Sequence, residues 1–92
     1  MSTLEALKFD IEPKRILISS EPYVIYTVRG YQAVVDIIEM KRKKEYLMYI
    51  GSASLAKPLE LLIRENNNKA TGLELWIRKE TPEKTSKYII EE

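Results

Sequence analysis

The 92-residue chain contains no cysteine and no histidine. Without cysteine, neither a disulfide nor a thiolate zinc site can staple the fold. Without either residue, the usual general base near neutral pH and the strongest nucleophile are both missing. A Ser–His–acid or Cys–His arrangement is therefore excluded. Ser19, Ser20, Ser52 and Ser54 leave room for a Ser–Lys pair, but no spacing sets a lysine beside them. Glycine is scarce too, and Gly30, Gly51 and Gly72 lie too far apart to build a phosphate-cradling loop. The acidic residues show no zinc, calcium or iron spacing. Asp36 interrupts an apolar segment and reads as the solvent-facing residue of an alternating strand. The expectation is a protein that is not an enzyme and uses no cofactor and no metal.

No apolar run approaches the roughly 20 residues needed to span a bilayer. The start, Met1-Ser2-Thr3-Leu4-Glu5, is neither basic nor followed by an apolar stretch, so no signal peptide and a cytoplasmic location are expected. A charge excess is also lacking. Fifteen basic and fourteen acidic residues leave a net charge of +1, which argues against a polycation that coats duplex DNA. Charged residues nevertheless make up 32% of the chain, dominated by Lys, Arg and Glu. That balance resembles hyperthermophile proteins, where ion-pair networks become less costly to desolvate at high temperature.

What is present suits one folded domain, residues 1–92, with a hydrophobic fraction of 45%. A chain this short buries only roughly 60–65% of its unfolded surface, so the core is thin. Ile16–Ile18 and Tyr23–Val28 read as strands, separated by the turn cluster Ser19-Ser20-Glu21-Pro22. The apolar pattern of 33–40 suits a helix, yet four β-branched residues in six positions favour a strand. Tyr46–Ile50 is another strand, which puts Lys41-Arg42-Lys43-Lys44 at a hairpin tip. With no Gly or Asn there, a four- or five-residue loop is expected.

Leu55, Leu59, Leu62 and Ile63 form one helical stripe. Ser52 or Ser54 can cap its start, Pro58 is expected in its first turn, and Asn66-Asn67-Asn68 ends it. Leu73, Leu75 and Ile77 then alternate with Glu74, Trp76 and Arg78, a half-buried strand. A turn over 81–86 leads to a last strand at Tyr88–Ile90. Residues 4–11 add a further strand through Leu7, Phe9 and Ile11, so that 1–14 is either a peripheral strand or a partly ordered arm. The fold class is α+β: mostly antiparallel sheet with one amphipathic helix on one face, in the order β-β-β-β-α-β-β.

Two features point to binding. The first is the basic tip Lys41, Arg42, Lys43 and Lys44, flanked by Glu39 and Glu45. It is either a solvated hairpin tip or a set of phosphate contacts. The second is aromatic rings interleaved with cations. Tyr31, Tyr46 and Trp76 lie near Arg29, Arg78 and Lys79. Rings displayed on a sheet and bordered by cations hold single strands by stacking and backbone attraction. Trp76 shares a face with Glu74 and Arg78, opposite the side that the helix covers, unless a neighbouring segment seals it.

The stretches Tyr49–Leu55, Pro58-Leu59-Glu60 and Gly72–Glu80 resemble small archaeal DNA-handling proteins. These are the thermophile single-stranded DNA-binding proteins and the small accessory subunits of archaeal replicative polymerases. The resemblance covers about half the chain and implies a strand–helix–strand core in a nucleic-acid setting; it assigns no role to any residue. Two readings follow. One is a domain that contacts single-stranded nucleic acid through Arg29, Tyr31, Lys41, Arg42, Lys43, Lys44, Tyr46, Trp76, Arg78 and Lys79. The other is a protein-interaction subunit of a replication, repair or transcription complex. A homodimer is compatible with both.

Overall fold

The computed structural model describes residues 4–83 and 86–91. Among them the chain forms β1 (Lys14–Ile18), β2 (Tyr23–Thr27), β3 (Gly30–Glu39), β4 (Lys44–Tyr49), α1 (Ala53–Glu65), β5 (Glu74–Lys79) and β6 (Tyr88–Glu91). All five strand pairings are antiparallel. The expected α+β class and element order are what the chain builds. Lys84 and Thr85, inside the expected turn over 81–86, lie outside the described residues.

Residues 33–40 resolve in favour of their β-branching. All but Met40 belong to β3, the longest strand, which carries β1 and β2 along one edge and β4 along the other. The register explains how two strands share one edge. Ile18 stands opposite Ile37 and Tyr23 opposite Val34, so residues 19–22 face only residues 35–36. The expected turn is therefore a bulge: the chain keeps its direction, and β1 and β2 are one interrupted strand. The Ser19 N–H donates to the Asp36 carbonyl at 2.9 Å, and the Asp36 N–H donates to Ser20 Oγ at 2.9 Å. The offset thus leaves its polar groups satisfied. The Glu21 carboxylate swings away to accept the N–H groups of Ala70 and Thr71, at 3.0 and 2.8 Å, and the Thr71 hydroxyl at 2.6 Å.

Alternation places one set of side chains against the helix. Ile16, Ile18, Val35, Ile37, Met48, Leu75 and Ile77 are fully buried, and Leu55 and Leu59 of α1 close over them. Each such side chain contributes about 1.5–3 kcal/mol on burial, which makes this layer the main source of stability. The stripe behaves as its spacing predicts, with Leu62 and Ile63 half-buried at the margin.

Two details of α1 differ from expectation. Ser52 is the N-cap residue but makes no side-chain cap hydrogen bond. The Ser54 hydroxyl is committed elsewhere, accepting the Tyr88 N–H at 3.1 Å. Pro58 lies inside the helix instead of in its first turn. Burial of Leu55 holds a turn of helix ahead of the proline that local propensity alone would not support. The end is as expected: Asn66 is the C-cap, and Asn67 and Asn68 take φ 57 and φ 60.

The described part of the N-terminal segment before β1, residues 4–13, forms no continuous strand. It touches β4 through a lone parallel bridge, Ala6 to Leu47. It then buries Phe9, whose ring meets Tyr88 edge-on at 5.9 Å, and reaches β5, where the Lys79 N–H donates to the Asp10 carbonyl at 2.7 Å. Because the chain crosses from one strand to another, alternation fails at Ile11, which is 54% exposed.

Candidate nucleic-acid interface

The end of the sheet where β1 begins and β3 ends is the place where cations and an aromatic ring meet. The β3–β4 hairpin closes there over Met40–Lys43, a four-residue loop as expected. Lys43 takes φ 54, a conformation usually left to Gly or Asn. The loop is held from inside, since the buried Glu39 carboxylate accepts the Arg42 N–H at 2.7 Å. Behind it, the Met40 N–H donates to the Arg15 carbonyl at 2.9 Å, so the loop and the start of β1 form one backbone unit.

Arg15 is the register partner of Trp76 on β5. Leu75 and Ile77 point into the core, so Trp76 faces the other way, with Glu74 and Arg78 as its neighbours on the same face. The ring is 42% exposed. The Arg15 guanidinium pairs with the Glu74 carboxylate on the face that Trp76 shares.

These elements line a cleft of about 650 Å³. Lys14, Arg15, Lys41, Arg42 and Trp76 stand on its walls together with Asp10, Glu12 and Glu39. Among the described residues the ion pairs are Arg15–Glu74 and Arg64–Glu60. Lys41, Arg42, Lys43 and Lys44 therefore have no carboxylate partner among those residues. Lys14 is less free, since its ammonium donates to the Lys8 carbonyl at 2.8 Å. The cleft offers one stacking platform, two unpaired cations on its wall and three carboxylates that set a limit on its positive field.

The expected site residues fall into three groups. Lys41, Arg42 and Trp76 come together at the cleft, with Lys43 and Lys44 on the same hairpin and Arg78 two residues along the Trp76 face. Arg29 and Tyr31 do not join them. They sit at the β2–β3 hairpin, and ten-residue β3 separates the two ends by roughly 30 Å at about 3.3 Å per residue. Lys79 is on the opposite face from Trp76, whereas Tyr46 lines the cleft from the core side. Tyr46 is 8% exposed because its register with Ile37 turns it toward the core, and the Lys44 ammonium lies 5.2 Å from its ring centroid. Lys79 falls on the Leu75–Ile77 side of β5 and is half-buried.

Sequence reading missed Lys14 and Arg15. The alternation of Arg15 and Leu17 against Ile16 and Ile18 marks Arg15 as outward-facing. Only the β1–β5 pairing, across some sixty positions, shows that it meets Trp76. Comparison with protein-family models, with curated proteins and with solved structures returns no match for this chain.

Proposed function

We propose that this chain is a non-enzymatic binding domain that takes single-stranded nucleic acid in the cleft between the 40–43 loop, the start of β1 and Trp76. The carrying observation is the half-exposed indole on the wall that also bears Lys41 and Arg42. A base can stack on such a ring only if it is not already stacked inside a duplex, which favours single strands. The cations then contact the phosphates and release their counterions. With a net charge of +1 and three carboxylates at the cleft, affinity is micromolar or weaker. Of the originally expected residues, Lys41, Arg42, Lys43, Lys44, Trp76 and Arg78 stay in this reading, and Arg15 joins them.

Titration of Trp76 fluorescence with oligonucleotides at low salt tests this. The expected result is quenching that weakens with salt. Lys41→Ala and Arg42→Ala should each flatten the salt dependence by about one phosphate contact. Arg29→Ala and Tyr31→Ala should leave it unchanged. An unaltered spectrum at low salt removes the proposal, as does an equal loss from the distant pair. The second reading, a protein-interaction subunit, is favoured by the exposed Tyr26, Val28 and Tyr31 of the far hairpin. It predicts partner capture that survives alanine at 41–44.

A further inference from the structure

The free edges of this sheet are unequally protected. The outer edge of β4 is partly covered, because the Leu47 N–H donates to the Glu5 carbonyl at 2.9 Å and the Leu7 N–H to the Leu47 carbonyl at 3.0 Å. The β6 edge is met by α1, whose Ser54 hydroxyl takes the Tyr88 N–H. Among the described residues the β2 edge has neither cover. Strand β2 pairs with β3 alone, and its sequence, Tyr23-Val24-Ile25-Tyr26-Thr27, contains no charge, glycine or proline. Edges of this kind are normally blunted by charge or proline, because an open ladder recruits another strand.

The open groups can be assigned. The Ile50 N–H donates to the Ala33 carbonyl, so the backbone of Ala33 faces away from β2. In an antiparallel ladder its partner, Val24, then also turns its N–H and C=O away, toward the free edge. Tyr26, opposite Tyr31 and two residues on, does the same. The side chains here are uncovered as well: Val24, Tyr26, Val28 and Tyr31 are 61%, 76%, 105% and 75% exposed, and the buried core includes no residue from 19–34 except Val34.

We infer that β2 pairs antiparallel with β2 of a second copy of this chain, about a two-fold axis at Ile25. In that register Val24 of each copy exchanges both hydrogen bonds with Tyr26 of the other, so every outward group of the strand is used. The side chains then form two Val–Tyr cross-strand pairs, a combination of β-branched and aromatic residues that stabilises sheets. Pro22, with no N–H, stops the ladder. A second copy fits better than an unrelated peptide because the strand is complementary to itself in one register. The contact is small, on the order of 1,000 Å² over both copies, at the lower limit for a specific interface. Association is therefore reversible and concentration-dependent, and it leaves the cleft at the other end of β3 open. It does not rest on the nucleic-acid reading.

Sedimentation velocity of the full chain without oligonucleotide, up to roughly 500 µM, tests it at the affinity such an area supports. The expected result is a dimer fraction that rises with concentration. Val24→Pro should abolish it, since that N–H is not used within the chain. The double variant V24E/Y26E, which sets like charges opposite each other twice, should be monomeric, whereas V24K/Y26E should dimerise again. Tryptophan fluorescence confirms that each variant is folded. A wild-type chain that stays monomeric throughout overturns the inference. So does a dimer that survives both Val24→Pro and V24E/Y26E.

Discussion

The carboxylate of Glu21 ties the β1–β2 bulge to the loop after α1 across about fifty positions. The Thr71 hydroxyl, then the N–H groups of Thr71 and Ala70, stabilise its ionised form and hold it below its ordinary 4.5. A lowered folded value means that the contribution is present above the ordinary carboxylate range and is lost as pH falls through it. Glu21→Gln should therefore flatten the decline of stability between neutral pH and about pH 3, read by urea melts at several pH values. An unchanged slope refutes this. Tyr23 acts in the opposite direction. Its hydroxyl donates to Asp36, which raises the phenol above 10.0, so its contribution holds at neutral pH and fades in strong alkali. At the helix end, Asn67 occupies a left-handed position that a β-branched residue resists. Asn67→Val should cost about 1–2 kcal/mol, and Asn67→Gly should cost nothing or stabilise slightly, by the same melts.

Among the elements, α1 carries a removable defect. Pro58 is exposed within the helix, so its ring packs against little while it denies Ser54 a hydrogen-bond partner. Replacing an interior proline with alanine gains roughly 3 kcal/mol of helix propensity, against about 1 kcal/mol of lost restriction in the unfolded chain. Pro58→Ala should thus raise stability by about 2 kcal/mol; a destabilised variant would show that the proline is structurally required. The helix itself was legible from Leu55, Leu59, Leu62 and Ile63, because burial imposes a period that residues must obey. The strands were legible from β-branching and alternation in the same way. The place of Pro58 within the helix is not legible in the same way, because it depends on where Leu55 packs, a tertiary fact. The 19–22 cluster is ambiguous in sequence because Ser, Glu and Pro suit a bulge as well as a reversal, and only the register against β3 separates them.

For the whole molecule, the same limit governs the candidate site. The basic tip and the outward face of Trp76 follow from local pattern, and both lie where the sequence indicates. That they share one cleft, and that Arg29 and Tyr31 are a strand's length away, depends on which strands are neighbours. Tyrosine is amphipathic, so the local pattern does not say that Tyr46 turns inward; its pairing with β3 decides that. The position of β3 has a consequence of its own. β1, β2 and β4 each lean on that one ribbon, and β5 reaches it only through β1. Among the described residues β2 and β4 have no other strand partner if β3 leaves and β1 keeps only β5, so the openings that disturb the sheet least are at β6 and the β2–β3 hairpin end. The amides of Val35–Ile38 should be the last to exchange their hydrogens in heavy water, at a rate set by global unfolding alone, and faster exchange there than in β6 would disprove it. In a chain wired this way, damage to the longest strand reaches three of the other five strands directly.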